Sequence, residues 1–131
     1  MSCLLLACSE LPPGGQTGRV AAVAVTDEGV APQDVTVHPG DEVRIANHRS
    51  TPIWIYFNRD RRHELSCQRG FVYEWGVEES AKVAPGDSAS LCFAGVGEYG
   101  YRVQFQETDR GGESLGQLNF RGFPGGIVVT E

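Results

Sequence analysis

Residues 84–105 read APGDSASLCFAGVGEYGYRVQF, and their pattern decides the fold class. Pro85-Gly86 turns the chain into an apolar run, and Gly95 and Gly97 interrupt it. Then Tyr99, Tyr101, Val103 and Phe105 alternate with Glu98, Gly100, Arg102 and Gln104. An alternation of period two over that length predicts a strand with one face buried. The same grammar occurs earlier, where His38-Pro39-Gly40-Asp41 makes a turn and Glu42-Val43-Arg44-Ile45-Ala46-Asn47 alternates after it.

Working outward, residues 19–27 (RVAAVAVTD) predict a first strand with Ala21, Val23 and Val25 on one side. Glu28-Gly29 turns the chain, and Val30-Ala31-Pro32 leads into a strand over 34–37. After the polar turn at 48–51, residues 52–57 (PIWIYF) are rich in aromatic and β-branched side chains and read as a strand. Residues 80–83, 88–94 and 97–105 follow as strands, 107–116 as a polar loop, and 117–121 and 126–130 as two closing strands. Between 58 and 79 no periodicity is visible; Arg59, Arg61, Arg62 and Arg69 gather there with His63, Cys67, Phe71, Tyr73 and Trp75. Long unpatterned segments in small domains are often functional. With 131 residues, 17 glycines, 7 prolines and no sustained helical period, the chain predicts one all-β domain, a Greek-key β-sandwich of about eight strands.

Several short motifs stand in a telling order: residues 33–47 (QDVTVHPGDEVRIAN), then Pro85-Gly86-Asp87, then Gly97-Glu98-Tyr99-Gly100-Tyr101, then Gly126-Ile127-Val128-Val129. From about Val20 to the end, this order resembles the cupredoxins, the small blue-copper fold. The resemblance implies a type 1 copper site of two imidazoles, a thiolate and a weak axial thioether. Carried over position by position, the first His place, after the Asn-ending strand, is held by Ile53. The Cys place two residues beyond Tyr101 is held by Val103, the second His place by Gln106, and the Met place by Phe123. The four places where the resemblance expects ligands are thus filled by non-ligands, and no cofactor is expected. His38 and His48 lie in turns, and the best residual metal-binding pair is His63 with Cys67, two ligands that would make only a weak site. The alternative reading is a copper-binding electron-transfer or copper-handling protein.

The front end carries a second resemblance. Leu5-Leu6-Ala7-Cys8 is similar to a bacterial lipobox, which implies a truncated signal segment over 1–8, lipidation of Cys8 and a linker over 9–18 that is rich in Pro and Gly. The basic n-region of such a leader is missing, and the competing reading is an apolar, disordered N-terminus. Acyl chains on Cys8 would tether the domain of residues 19–131 to a membrane surface in the bacterial cell envelope, facing the periplasm or the exterior. If Cys3 leaves with the leader and Cys8 is acylated, Cys67 and Cys92 remain. In an oxidising compartment these form one disulfide; otherwise they are two unrelated buried thiols.

Charge and motif content narrow the function classes. A formal charge of −6 argues against nonspecific nucleic-acid binding. There is no Gly-x-Ser-x-Gly elbow and no phosphate-cradling glycine loop, so a non-enzymatic role is expected. Asp60, Glu64, Glu74, Glu78 and Glu79 read as a solvated face. Arg61, Arg62 and Trp75 are the candidates for contacting a protein partner, because Arg and Trp concentrate at interface hot spots; the competing reading makes the aromatic residues a cap on the sandwich. The expectation is an envelope lipoprotein domain that binds a partner or serves a structural role.

Overall fold

The computed structural model describes residues 16–57, 65–74, 78–107 and 119–131, with backbone alone at 72–74, 78, 79, 107, 119 and 120. Two turns of identical construction set its frame. In His38-Pro39-Gly40-Asp41 and Ala84-Pro85-Gly86-Asp87 the Asp N–H donates to the carbonyl three residues back, at 3.0 Å in both. Gly40 and Gly86 take φ of 88° and 84°. Proline at the second position and a left-handed glycine at the third define a type II turn, which a side chain at that glycine would strain. Each turn opens one strand and hydrogen-bonds to the end of the other. Gly40 N–H donates to Phe93 O, while Gly86 N–H and Asn47 N–H exchange bonds with Asn47 O and Asp87 O.

Eleven strands follow in order: β1 (Val20–Thr26), β2 (Gly29–Ala31), β3 (Asp34–Val37), β4 (Glu42–Asn47), β5 (Ile53–Phe57), β6 (Leu65–Arg69), β7 (Val72–Glu74), β8 (Glu78–Val83), β9 (Ser88–Phe93), β10 (Gly97–Glu107) and β11 (Asn119–Val129). They form a five-stranded sheet ordered β2-β1-β4-β9-β6 and a six-stranded sheet ordered β3-β11-β10-β5-β8-β7. Parallel pairs occur where β1 meets β4 and β3 meets β11; the other neighbours are antiparallel. The architecture is an all-β sandwich.

Three details depart from the sequence expectation. The count is eleven strands among the described residues, where about eight were expected. Residues 58–79 were read as unpatterned, yet they supply β6, β7 and the start of β8. The register of β6 against β9 shifts between Leu65 and Cys67, and that bulge breaks the alternation by which a strand is recognised; β7 has only three residues. Both are edge strands, where one ladder suffices. The two closing strands are one, β11, which runs through Pro124. Gly126 N–H points away from β10 and donates to Gln33 O; Pro124, two residues earlier, directs its nitrogen the same way, before β3 begins. No ladder bond is lost there, so the proline is tolerated.

The inward faces make the core. Val23, Val25, Val43, Ile45, Leu91 and Phe93 come from one sheet, and Ile53, Ile55, Phe57, Tyr101, Val103, Phe105 and Ile127 from the other. Each such side chain contributes about 1.5–3 kcal/mol on leaving water. Phe93 joins the layers, stacking on Tyr99 at 4.1 Å between centroids and meeting Phe57 edge-on at 6.0 Å. Cys67 and Cys92 stand opposite each other on β6 and β9 and form a disulfide with Cα atoms 4.8 Å apart, tying the edge strand to its neighbour.

Candidate functional site

In a sandwich whose sequence resembles the cupredoxins, the place to look is the end where β4 leads into β5 and β10 pairs with β11. Asn47, the last residue of β4, is 1% exposed and organises this end. Its amide nitrogen donates to Thr51 O at 2.9 Å and Val83 O at 3.0 Å, and its Oδ1 accepts from Arg49 N–H at 2.8 Å. An amide buried without partners would be costly; here both its donors and its acceptor are engaged in shaping the turn over 48–52.

That turn delivers Ile53 to the head of β5, where it is fully buried. Val103 is equally buried on β10, and the register sets it opposite Ile55 on one side and Phe123 on the other. Two places expected to hold a thiolate and a thioether are therefore cross-strand neighbours, and both are hydrocarbon. Phe123 stacks on Phe105 at 5.6 Å and packs on Gly29, whose absent Cβ would lie 3.4 Å from the ring. Gln106 sits half-buried opposite Phe120, and its amide is the one polar group among the four positions.

The sequence reading missed the group that closes this end. Arg49 holds its guanidinium carbon 3.5 Å from the centroid of the Phe105 ring and donates from Nη1 to Asp27 Oδ1 at 2.9 Å. Its side chain is 12% exposed, and its Nε is buried without a partner among the described residues. The Arg121 guanidinium lies 5.5 Å from the Phe123 centroid. Of the two cations Arg49 is the nearer to its ring and the more deeply buried. A desolvated cation over a ring contributes about 2 kcal/mol. In the sequence Arg49 looks like one more polar turn residue, and only the folded chain brings it to Phe105.

These residues do not fit a type 1 copper centre. Such a centre needs imidazole and thiolate donors around a space the ion can enter, whereas aliphatic and aromatic carbon fills the space and a guanidinium already supplies positive charge nearby. Cys92 is engaged in the disulfide, and among the described residues no three His, Cys, Asp or Glu side chains converge as a ligand set. Cys67, named with His63 as the residual pair, is the disulfide partner of Cys92, so its thiolate is not free to bind metal. His63, Cys8 and the partner candidates Arg61, Arg62 and Trp75 lie outside the described residues.

At the opposite end the polar groups serve the frame. Asp41 is buried, accepts from Thr17 Oγ1 at 2.6 Å and His38 N–H at 2.9 Å, and pairs with Arg19 at 3.1 Å. Burial alone would raise its pKa, but these donors and the Arg19 charge outweigh it and hold the carboxyl below the ordinary range. Glu42 is likewise lowered, first by Arg44 at 2.9 Å and then by Ser90 Oγ at 2.6 Å.

The fold has well-populated company among solved structures. A reduced tryptophan-to-tyrosine mutant of amicyanin superposes with a TM-score of 0.54 at 16% identity, covering 93% of this chain and 88% of the other. Amicyanin from Paracoccus versutus (Thiobacillus versutus) gives 0.51 at 14% identity, over 93% and 87%. A methionine-to-alanine amicyanin mutant in the Cu(I) form gives 0.54 at 16% identity. At such identities the likeness concerns the fold, which is cupredoxin-like. No protein-family model and no curated protein sequence matches the chain.

Proposed function

On the premise of a cupredoxin-like sandwich, we propose that this chain is a non-enzymatic module of the bacterial cell envelope that works without type 1 copper, binding a partner or serving a structural role. The observation that carries the reading is the filling of the ligand end with Ile53, Val103 and Phe123, closed by the Arg49 guanidinium. The Asn47 amide, buried at this end, is committed to shaping the turn. Lipidation of Cys8 is the proposed anchor and rests on the Leu5-Leu6-Ala7-Cys8 motif.

The test is metal content and visible absorbance of the protein after incubation with cupric and cuprous ions and desalting. The expected outcome is a colourless protein that retains no stoichiometric copper. A bound equivalent of copper with the intense colour of a thiolate-ligated cupric site would overturn the reading and make electron transfer or copper handling the function. Anchoring is tested separately: the full chain should partition with membranes and Cys8→Ser should release it, and equal partitioning of the two would refute the anchor.

A further inference from the structure

The outward face of the six-stranded sheet carries two kinds of charge in separate places. Cross-strand register arranges its side chains in rows. One row runs Lys82, Trp54, Gln104, Gly122, and the next runs Ser80, Tyr56, Arg102, Pro124. Lys82 Nζ stands 5.5 Å from the Trp54 ring and the Arg102 guanidinium 5.5 Å from the Tyr56 ring, so this half is aromatic and cationic. The following row is Gly100, Gly126, Asp34, and beyond it come Glu98, Val128 and Thr36. With no side chain on either glycine, the surface falls into a notch of about 250 Å³ walled by Asp34, Glu98 and Val128.

A Cβ on Gly126 would lie 2.5 Å from Asp34 Oδ1, so the carboxylate leans across the glycine. Among the described residues neither Asp34 nor Glu98 belongs to an ion pair, and Lys82 and Arg102 touch rings but no carboxylate. Charges of both signs, unpaired among the described residues, therefore share one face, the cations beside aromatic rings and the anions around a hollow.

We infer that this face binds a second copy of the same chain, in a two-fold dimer where Arg102 of each copy enters the glycine notch of the other between Asp34 and Glu98. The geometry follows from symmetry. For two faces meeting about a two-fold axis in the interface plane and across the strands, each row meets the row mirrored along the strand, so the Arg102 row faces the Gly100 row. The contact is isologous and closed. Each guanidinium gains a carboxylate that the described residues of the monomer do not provide, and the Trp54 and Tyr56 rings contribute apolar area. The dimer is a weak one driven by charge complementarity, hence salt-sensitive.

Sedimentation of the full chain carrying Cys8→Ser tests this. The mass should rise from the 14.2 kDa monomer towards twice that value between about 10 µM and about 1 mM, and salt of about 0.5 M should reverse the rise. Arg102→Glu alone and Asp34→Lys/Glu98→Lys alone should each remain monomeric, and an equimolar mixture of the two should associate. Arg102→Gln serves where the charge reversal unfolds the chain, and it should weaken association without changing the denaturation midpoint. A monomer at every concentration overturns the inference, as does association that both charge variants retain. Poly-L-glutamate binding to a chain that stays monomeric, lost in Arg102→Gln, would reassign the face to an acidic partner and equally overturn the dimer.

Discussion

Gly125 offers the sharpest test of why two distant parts of the sequence belong together. It pairs with Tyr101 across β10 and β11, and the Tyr101 ring lies over it. A Cβ at Gly125 would run into Tyr101 Cζ and lie 2.5 Å from the hydroxyl oxygen and 2.6 Å from Cε2. Carbon contacts settle near 3.5–4.0 Å, so the methyl of Gly125→Ala intrudes by about 1 Å. Tyr101 has no room to withdraw: it is 2% exposed and its ring sits 5.6 Å from that of Phe57. Overpacking of this kind costs about 1–3 kcal/mol, and the high end applies where the ring is locked. The entropy removed from the unfolded chain by replacing glycine offsets about 0.5–1 kcal/mol, leaving a net loss of about 2 kcal/mol. Tyr101→Leu by itself should destabilise by about 2–4 kcal/mol as a large-to-small core change. On that background Gly125→Ala should stabilise by that same unfolded-chain entropy, about 0.5–1 kcal/mol, giving a coupling of about 3 kcal/mol in a double-mutant cycle. Denaturant unfolding followed by tryptophan fluorescence measures all four corners. Costs that simply add, within about 0.5 kcal/mol, would refute the contact as the reason for the glycine.

Removing the disulfide with Cys67→Ala/Cys92→Val should lower stability by about 3.5 kcal/mol from loop entropy, given the sequence separation of 25; an unchanged denaturation midpoint would refute it. Acid should act through Asp41 and Glu42. Both carboxyls are lowered in the folded state, so their contribution is complete above the unfolded carboxylate pKa near 4 and fades as pH falls through the lower folded values. Asp41→Asn and Glu42→Gln should each flatten the stability profile below about pH 4.5, and a profile with the wild-type slope would contradict the assignment. At the alkaline end, burial and then the Asp34 charge raise Tyr101 from 10.0 to about 12. The unfolded tyrosine loses its proton first, so stability should decline between pH 10 and 12, with one tyrosinate absorbance step coinciding with unfolding. A Tyr101→Phe variant that declines just as steeply would remove Tyr101 as the cause.

How far the molecule could be read from residues alone varies along the chain, for physical reasons. Where one face of a strand is buried and the other wet, as at 42–47 and 97–105, alternation records the fold directly in the sequence. Edge strands escape that rule: β6 carries a bulge and β7 is three residues long, so neither leaves a period-two trace. Pro124 lies between the two strands expected over 117–121 and 126–130, and a proline cannot join a ladder on both sides. Which side lacked a partner depended on where β3 begins.

The candidate site divides in the same manner. Sequence by itself determined the sandwich class, the twin Pro-Gly turns and the non-ligand residues Ile53, Val103, Gln106 and Phe123 at the places the resemblance marks, because each is a matter of residue type at a local position. Only the tertiary structure decided that Val103 faces Phe123, that the Arg49 guanidinium covers Phe105, that Tyr101 requires Gly125, and that Lys82 and Arg102 share a face with Asp34 and Glu98. Those are pairings between different strands, and their register is set by how two sheets bury their inward faces together.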